Sequence, residues 1–364
     1  MIKPRGEEVS GITNNSQHVH ILVIRLSAMG DVAMTVPVIA ALLEQYPNIR
    51  VTVLTKGFLK PIFQGLPRVH VFEAQVKGRH KGVWGLWKLY NELKLLDITD
   101  VADVHNVMRS TVLKAYFGLG SIPFVQIEKG RAEKRALTSL TNKVFEPLKT
   151  THQRYADVFA KLGFPISLES VALPLKRKVA SDTHNLLKDP TKKWIGIAPF
   201  AAFKGKMYPL DLMEKVVAGL NNRENYHILL FGGGEKERLA LDKWGKRYEH
   251  CVNLVGKIPL SEELAVISQL ELMIAMDSGN AHLAAMFGVP CLTLWGVTHP
   301  YAGFYPFHQG GNVLLSDRNS YPLIPTSVYG NKFPSGYEDV MRTILPESVL
   351  TKAKEILESQ SAKP

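Results

Sequence analysis

The sequence predicts an α/β protein made of two Rossmann-like parallel-sheet domains facing across a cleft. Three observations lead there. Apolar runs of strand length alternate with longer helical patterns along most of the chain, the signature of parallel βα units. The alternation lapses around Leu168–Lys193, in a stretch of prolines, lysines and short polar pieces, and then resumes. Polar and glycine-rich turns fall where the apolar runs end, and open α/β sheets bind ligands along that carboxyl edge.

The first series opens with a strand over His20–Leu26 and a helix over Val32–Gln45. Strands follow at Ile49–Leu54, Val69–Phe72, Asp100–Val104 and Phe124–Ile127. The second series places strands at Trp194–Pro199, Tyr226–Phe231, Val252–Leu254, Leu272–Met276 and Cys291–Trp295, with helices at Leu210–Leu220 and Glu235–Lys246. Asn312–Tyr337, rich in Pro, Tyr, Ser and Gly, reads as an ordered loop. Pro346–Glu358 closes the chain as a helix, with proline at the first helical position. The expected division is a flexible extension over 1–19, a first domain over 20–167 and a linker over 168–193. A second domain spans 194–340, and a C-terminal helix and tail span 341–364.

The 364 residues suffice for two ordinary cores, and 46% hydrophobic with 21% charged residues is a globular composition. A formal charge of +11 points to an acidic partner: nucleic acid, anionic lipid or a phosphorylated substrate. The basic residues are dispersed over several loops without a recognition motif, which argues against nucleic acid. Cys251 and Cys291 sit beside apolar strand residues and read as buried thiols. With no apolar run of 18 residues and no apolar segment among the first nineteen, neither a membrane span nor a secretory signal is expected. A cytoplasmic location follows as the expectation.

Four turns carry candidate chemistry. The first strand ends in Arg25-Leu-Ser27-Ala-Met-Gly30-Asp31-Val, which lacks the G-x-G-x-x-G dinucleotide fingerprint. Asp31 at a helix start can be a capping residue worth about 1 kcal/mol or a general base for a hydroxyl nucleophile; both readings can hold together. Lys204 and Lys206 lie in a strand-to-helix loop, placed either for phosphate oxygens or simply for solvent. Phe231-Gly232-Gly233-Gly234-Glu235 suits close contact with a ribose, although Glu235 equally suits a helix start. Asp277-Ser278-Gly279-Asn-Ala-His282 opens a helix toward a diphosphate, with Gly296-Val-Thr298 ending the next strand. No metal-ligand spacing is present. In the first domain, basic loops containing Arg79 and Lys81, His105 and Arg109, and Arg135 suit an anionic acceptor or a membrane surface, or are merely solvated.

These motifs resemble glycosyltransferase family 9, the lipopolysaccharide heptosyltransferases. The resemblance runs from about His20 to Pro306 and rests on Ser27-Ala-Met-Gly30-Asp31-Val with Pro37, on Lys206-Met-Tyr208-Pro209, and on Asp277–His282 with Gly296-Val-Thr298-His-Pro300. Tyr208 stands where the family often has Trp. The resemblance implies a GT-B fold and inverting, metal-independent transfer of a heptose from ADP-heptose to the inner core of lipopolysaccharide. Asp31 then matches the base and Lys206 the lysine facing the donor phosphates. Asp277, Ser278, Gly279 and His282 match the donor-binding turn, Gly233 and Thr298 line the donor site, and Glu235 lies near the ribose. Arg79, Lys81, His105, Arg109 and Arg135 are the acceptor candidates. The implied partners are a nucleotide-sugar and an anionic lipid-linked oligosaccharide, with peripheral contact at the inner membrane and no resident cofactor. The alternatives are a sugar-nucleotide epimerase and a noncatalytic nucleotide-sugar-binding protein on the same fold.

Overall fold

Among the described residues every strand pairing is parallel, and the pairings form two separate sheets. The computed structural model describes residues 18–187, 192–223 and 225–361. The expected extension over 1–19 therefore lies almost wholly outside the described residues, as do 188–191 of the expected linker. The first compact unit comprises the described part of Met1–Lys129 with Thr151–Pro174; the second comprises Gly130–Thr150 and the described part of Leu175–Pro364.

In the first unit, β1 (Val19–Ile24) leads into α1 (Met29–Ala33) and α2 (Thr35–Gln45), followed by β2 (Ile49–Thr55) and β3 (Val69–Glu73). Then come α3 (Gly82–Lys94), β4 (Asp100–Asp103), α4 (Met108–Gly118) and β5 (Phe124–Gln126). The segment after β5 carries α5 (Arg131–Leu137) in the second unit, and α6 (Thr151–Lys161) returns to the first. The sheet order is β3-β2-β1-β4-β5, so β1 is central and the chain switches direction beside it. Residues Ile21–Ile24 are wholly buried, as expected of a strand covered by helices on both faces. One face of the sheet packs Leu22, Ile24, Leu86, Leu89, Leu113 and Phe117, each Leu or Ile contributing about 2 kcal/mol on leaving water.

The single helix expected over Val32–Gln45 starts earlier and is interrupted at Met34. Pro37 has no N–H to continue the ladder, and the Thr35 hydroxyl donates to Val32 O at 2.7 Å. The effect is to put Asp31 in the first turn of a short helix directly after β1.

The second unit runs α7 (Ser181–Leu186), β6 (Lys193–Ala198), α8 (Leu210–Asn221), β7 (Tyr226–Leu230), α9 (Glu235–Arg247) and β8 (Cys251–Asn253). It continues with α10 (Leu260–Ser268), β9 (Leu272–Met276), α11 (Gly279–Ala285), β10 (Cys291–Trp295), β11 (Val313–Leu315) and α12 (Pro346–Ser361). The order β11-β10-β9-β6-β7-β8 makes β6 and β9 neighbours at a second switch point. Both cysteines are buried free thiols, and burial pushes the Cys251 thiol up to about 12.

Two stretches depart from the sequence reading. Gly130–Thr150, expected within the first domain, packs with the second unit: Leu148 N donates to Tyr301 O at 2.9 Å, and Lys143 Nζ to Pro325 O at 2.6 Å. Within Asn312–Tyr337, Val313–Leu315 extends the sheet beside β10, a strand too short to leave an alternating pattern. Among the described residues no helix is long and apolar enough to cross a membrane.

Candidate active site

An ion pair closes the carboxyl end of β1. Arg25, the residue after the strand, is buried; its Nη1 donates to Val104 O at 2.7 Å and its Nη2 lies 2.7 Å from Asp31 Oδ2. Asp31 Oδ2 also accepts from Ala28 N at 3.2 Å, the part played by the acid of a capping box, while Ala28 itself holds the N-cap position. Tyr155, from α6, donates its hydroxyl to Asp31 O at 3.4 Å and lays its ring near the Arg25 guanidinium. Burial pushes the Tyr155 hydroxyl well above its usual range, so it stays a donor. The Asp31 side chain is 27% exposed against 9% for Arg25, so the carboxylate is the open half of this pair.

His105, at the end of β4, accepts from Leu26 N at 3.4 Å. Burial, reinforced by the Arg25 and Lys129 charges, pushes its imidazole down to about 3. At neutral pH His105 can therefore exchange hydrogen bonds with a hydroxyl but brings no charge to an anion.

In the second unit the turns after β6 and β9 meet, and Lys206 Nζ lies 3.1 Å from Asp277 Oδ2. Here the exposure is reversed, with 15% for the lysine side chain and 8% for the aspartate. Close backbone approaches fix the lysine turn. Val297 N donates to Gly205 O at 2.9 Å, and a Cβ at Gly296 would overlap that same carbonyl. Gly330, at φ +78°, packs flat on the Lys206 stem, where any side chain would collide. Tyr208 anchors the far side through its hydroxyl to Ile344 O at 2.7 Å.

Around this pair, Ser278 Oγ, Asn280 Oδ1 and Thr298 Oγ1 are buried without a hydrogen-bond partner. Buried polar atoms are rarely left so. Three in the segments that follow two adjacent strands, the start of α11 after β9 and the turn after β10, mark a surface built to hydrogen-bond something else. Ser278 occupies the N-cap position of α11 yet makes no cap bond with its side chain. Gly279 opens the helix and His282 is buried one turn further in. Among the described residues no group of three or more His, Cys, Asp or Glu is placed to hold a metal ion.

The family model for glycosyltransferase family 9 (heptosyltransferase) matches residues 87–324, well over half of the chain. The chain belongs to glycosyltransferase family 9. It is 28% identical over 357 residues to lipooligosaccharide heptosyltransferase 2 of Haemophilus influenzae, covering 93% of this chain and 99% of that one. Among solved structures, a family 9 glycosyltransferase from Veillonella parvula superposes with a TM-score of 0.72 at 19% identity, covering 94% and 98% of the two chains. The Escherichia coli ADP-heptose lipopolysaccharide heptosyltransferase II gives 0.68 at 17%, covering 94% and 100%. The fold is thus of GT-B type, and the protein is a glycosyltransferase.

The remaining family-implied residues of this glycosyltransferase fare unequally. Gly233 lies in the turn after β7, but Glu235 points to solvent and is bound by Arg238, whose Nε donates at 2.9 Å and which holds the carboxyl below its ordinary range. The carboxylate turned into the glycine loop belongs to Glu237, which accepts from Gly233 N at 2.7 Å. Arg79 is exposed and paired with Glu92 at 2.5 Å; Lys81 and Arg109 are exposed at the starts of α3 and α4. Arg135 is exposed on α5, in the other unit from these three. Sequence reasoning assigned no role to Arg25, Tyr155, Asn280 or Gly330. A buried arginine at a strand end was the one available signal, because Arg is rarely buried unless paired.

Proposed function

We propose that this enzyme transfers a heptose from ADP-heptose to the inner core of lipopolysaccharide, with inversion and without a metal ion. The observation that carries the donor half is the Lys206–Asp277 pair beside three unpartnered buried polar atoms, at the switch point of the second sheet. That edge offers a cation and hydrogen-bonding groups for a diphosphate and its sugar. A solved Escherichia coli heptosyltransferase, TM-score 0.63 at 17% identity, contains ADP-2-deoxy-2-fluoro heptose, which supports the choice of donor.

In the proposed step an acceptor hydroxyl lies beside Asp31. Its oxygen bonds to the anomeric carbon from the face opposite the diphosphate as the bond to the diphosphate oxygen breaks. The hydroxyl proton passes to the Asp31 carboxylate, and ADP leaves with the bonding pair. The transition state carries oxocarbenium character. Lys206 and the amides at the start of α11 stabilise the charge growing on the diphosphate, as preorganised groups do without reorganising. Asp277 holds Lys206 in place, and Ser278, Gly279, His282, Thr298 and Gly233 line the donor site. Arg79, Lys81, Arg109 and Arg135 serve an anionic acceptor, with His105 as a neutral hydrogen-bonding group. The reaction is assigned to the cytoplasmic side of the inner membrane, with the protein held there peripherally.

Thermal-shift titration with ADP-, UDP- and GDP-sugars tests the donor, since a ligand of the native state raises the melting temperature. ADP-heptose is expected to give the largest rise, and its turnover with a heptose-deficient core acceptor is expected to survive excess EDTA. A larger rise with a UDP-sugar, or loss of turnover on chelation, would overturn the respective part.

A further inference from the structure

A parallel sheet delivers every strand-to-helix loop to one edge. In the first unit that edge carries Asp31 after β1 and two other kinds of side chain around it. The apolar ones are Phe58, Val83, Trp84 and Met108, exposed by 62%, 60%, 82% and 85%. Phe58 comes from the connection after β2 and the others from the first turns of α3 and α4, which follow β3 and β4; tryptophan and phenylalanine are among the residues folding most readily hides. Interleaved with them are Lys60, Lys77, Lys81 and Arg109, all exposed. The loop segments 56–60, 74–81 and 104–107 contain no acidic residue, and none follows in α3 until Glu92.

The α3 helix holds this surface rigidly. Its inner face, Leu86, Leu89, Tyr90 and Leu93, is buried in the core, while Trp84, Trp87, Lys88 and Asn91 follow one another along the outer face at helical spacing. Trp87 packs edge-on against Tyr116 of α4, centroids 5.0 Å apart, and the Tyr116 hydroxyl donates to Val83 O at 3.2 Å. The exposed tryptophan therefore stands on a fixed support.

We infer that this edge of the first unit docks on an anionic lipid bilayer, with Trp84 and its apolar neighbours entering the headgroup region and the lysines meeting lipid phosphates. Tryptophan is favoured at that depth. Cations beside an apolar face are what binds peripheral proteins to anionic lipid. β2 and β4 flank β1 in the sheet, so segments bearing this face leave the same edge on either side of the turn that carries Asp31. An acceptor rooted in that bilayer thus reaches the carboxylate without leaving it. The inference rests on the proposed lipid-linked acceptor for its purpose, but on side-chain chemistry for its site.

The test is flotation of the full-length protein with vesicles of phosphatidylcholine alone, or of phosphatidylcholine with phosphatidylglycerol, at low and high salt. The unaltered protein is expected to float with the anionic vesicles at low salt and to be released by high salt. Trp84→Ser and the pair Lys77→Glu, Lys88→Glu should each lower partitioning about tenfold or more. Trp84→Ser should also keep the nucleotide-sugar thermal shift and its turnover on a deacylated, water-soluble acceptor while losing turnover on a vesicle-embedded one. Absence of binding to anionic vesicles would overturn the inference. So would unaltered flotation of Trp84→Ser, or a Trp84-dependent dimer in lipid-free solution. Failure of every core acceptor would overturn the proposed reaction instead and leave the flotation result standing.

Discussion

At the end of β1 the arginine is buried and the aspartate is open, 9% against 27%; at the ends of β6 and β9 the aspartate is buried and the lysine is the more open, 8% against 15%. Each unit thus sets one ion pair at the switch point of its sheet, with opposite members presented. A single charge at a strand end would either wander in solvent or be buried at a cost of several kcal/mol. A pair with one buried member avoids both, since the buried partner fixes the direction of the open one. In the proposed reaction the open carboxylate of the first unit is the proton acceptor, and the more open lysine of the second is the cation for the leaving diphosphate.

The largest expected effect is at Asp31. Asp31→Asn keeps an acceptor for Ala28 N but removes the basic oxygen, so turnover should fall about 10²- to 10⁴-fold. A turnover within a few-fold of the unaltered enzyme would leave Asp31 as a structural partner of Arg25 only.

Stability sharpens the comparison next. Removing either carboxylate strands a largely buried cation, so Asp31→Asn and Asp277→Asn should each cost about 3 kcal/mol. Thermal denaturation should show a lower melting temperature for both variants. An unchanged melting temperature in one would mean that its cation is held by other groups.

The smallest expected effect comes from His105. Its imidazole titrates near 3 in the folded chain against an ordinary 6.5, so the unfolded chain takes up a proton that the folded one refuses. The neutral ring's contribution is complete above pH 6.5 and is lost as the pH falls toward 3, by at most about 1.4 kcal/mol per pH unit. The melting temperature of His105→Gln should therefore fall less between pH 7 and pH 5 than that of the unaltered protein. Equal falls would remove His105 from the acid sensitivity.

What the sequence disclosed divides along similar lines. The alternation of strands and helices was legible because parallel strands buried on both faces leave continuous apolar runs, as at Ile21–Ile24 and Leu272–Met276. The turns at Gly30-Asp31 and Asp277–His282 were legible because their residues are consecutive. The contacts that give them direction were not: Lys206 and Asp277 are far apart in the chain, and Gly330 reaches Lys206 from a stretch with no periodic pattern. Nor could spacing alone separate Glu235 from Glu237. Both begin α9, and only the orientation of the glycine loop decides which turns inward. The return of Gly130–Thr150 to the second unit was hidden for the same reason, since Lys143 and Leu148 find partners more than a hundred residues away.

The reversed polarity is tested most directly by calorimetric titration of ADP-heptose into the unaltered enzyme, Asp31→Asn and Lys206→Met. The Asp31→Asn dissociation constant should lie within about twofold of the unaltered enzyme's, and that of Lys206→Met should be raised at least tenfold, as loss of about 1.4 kcal/mol or more requires. Equal weakening by the two substitutions, or a normal affinity in Lys206→Met, would contradict it.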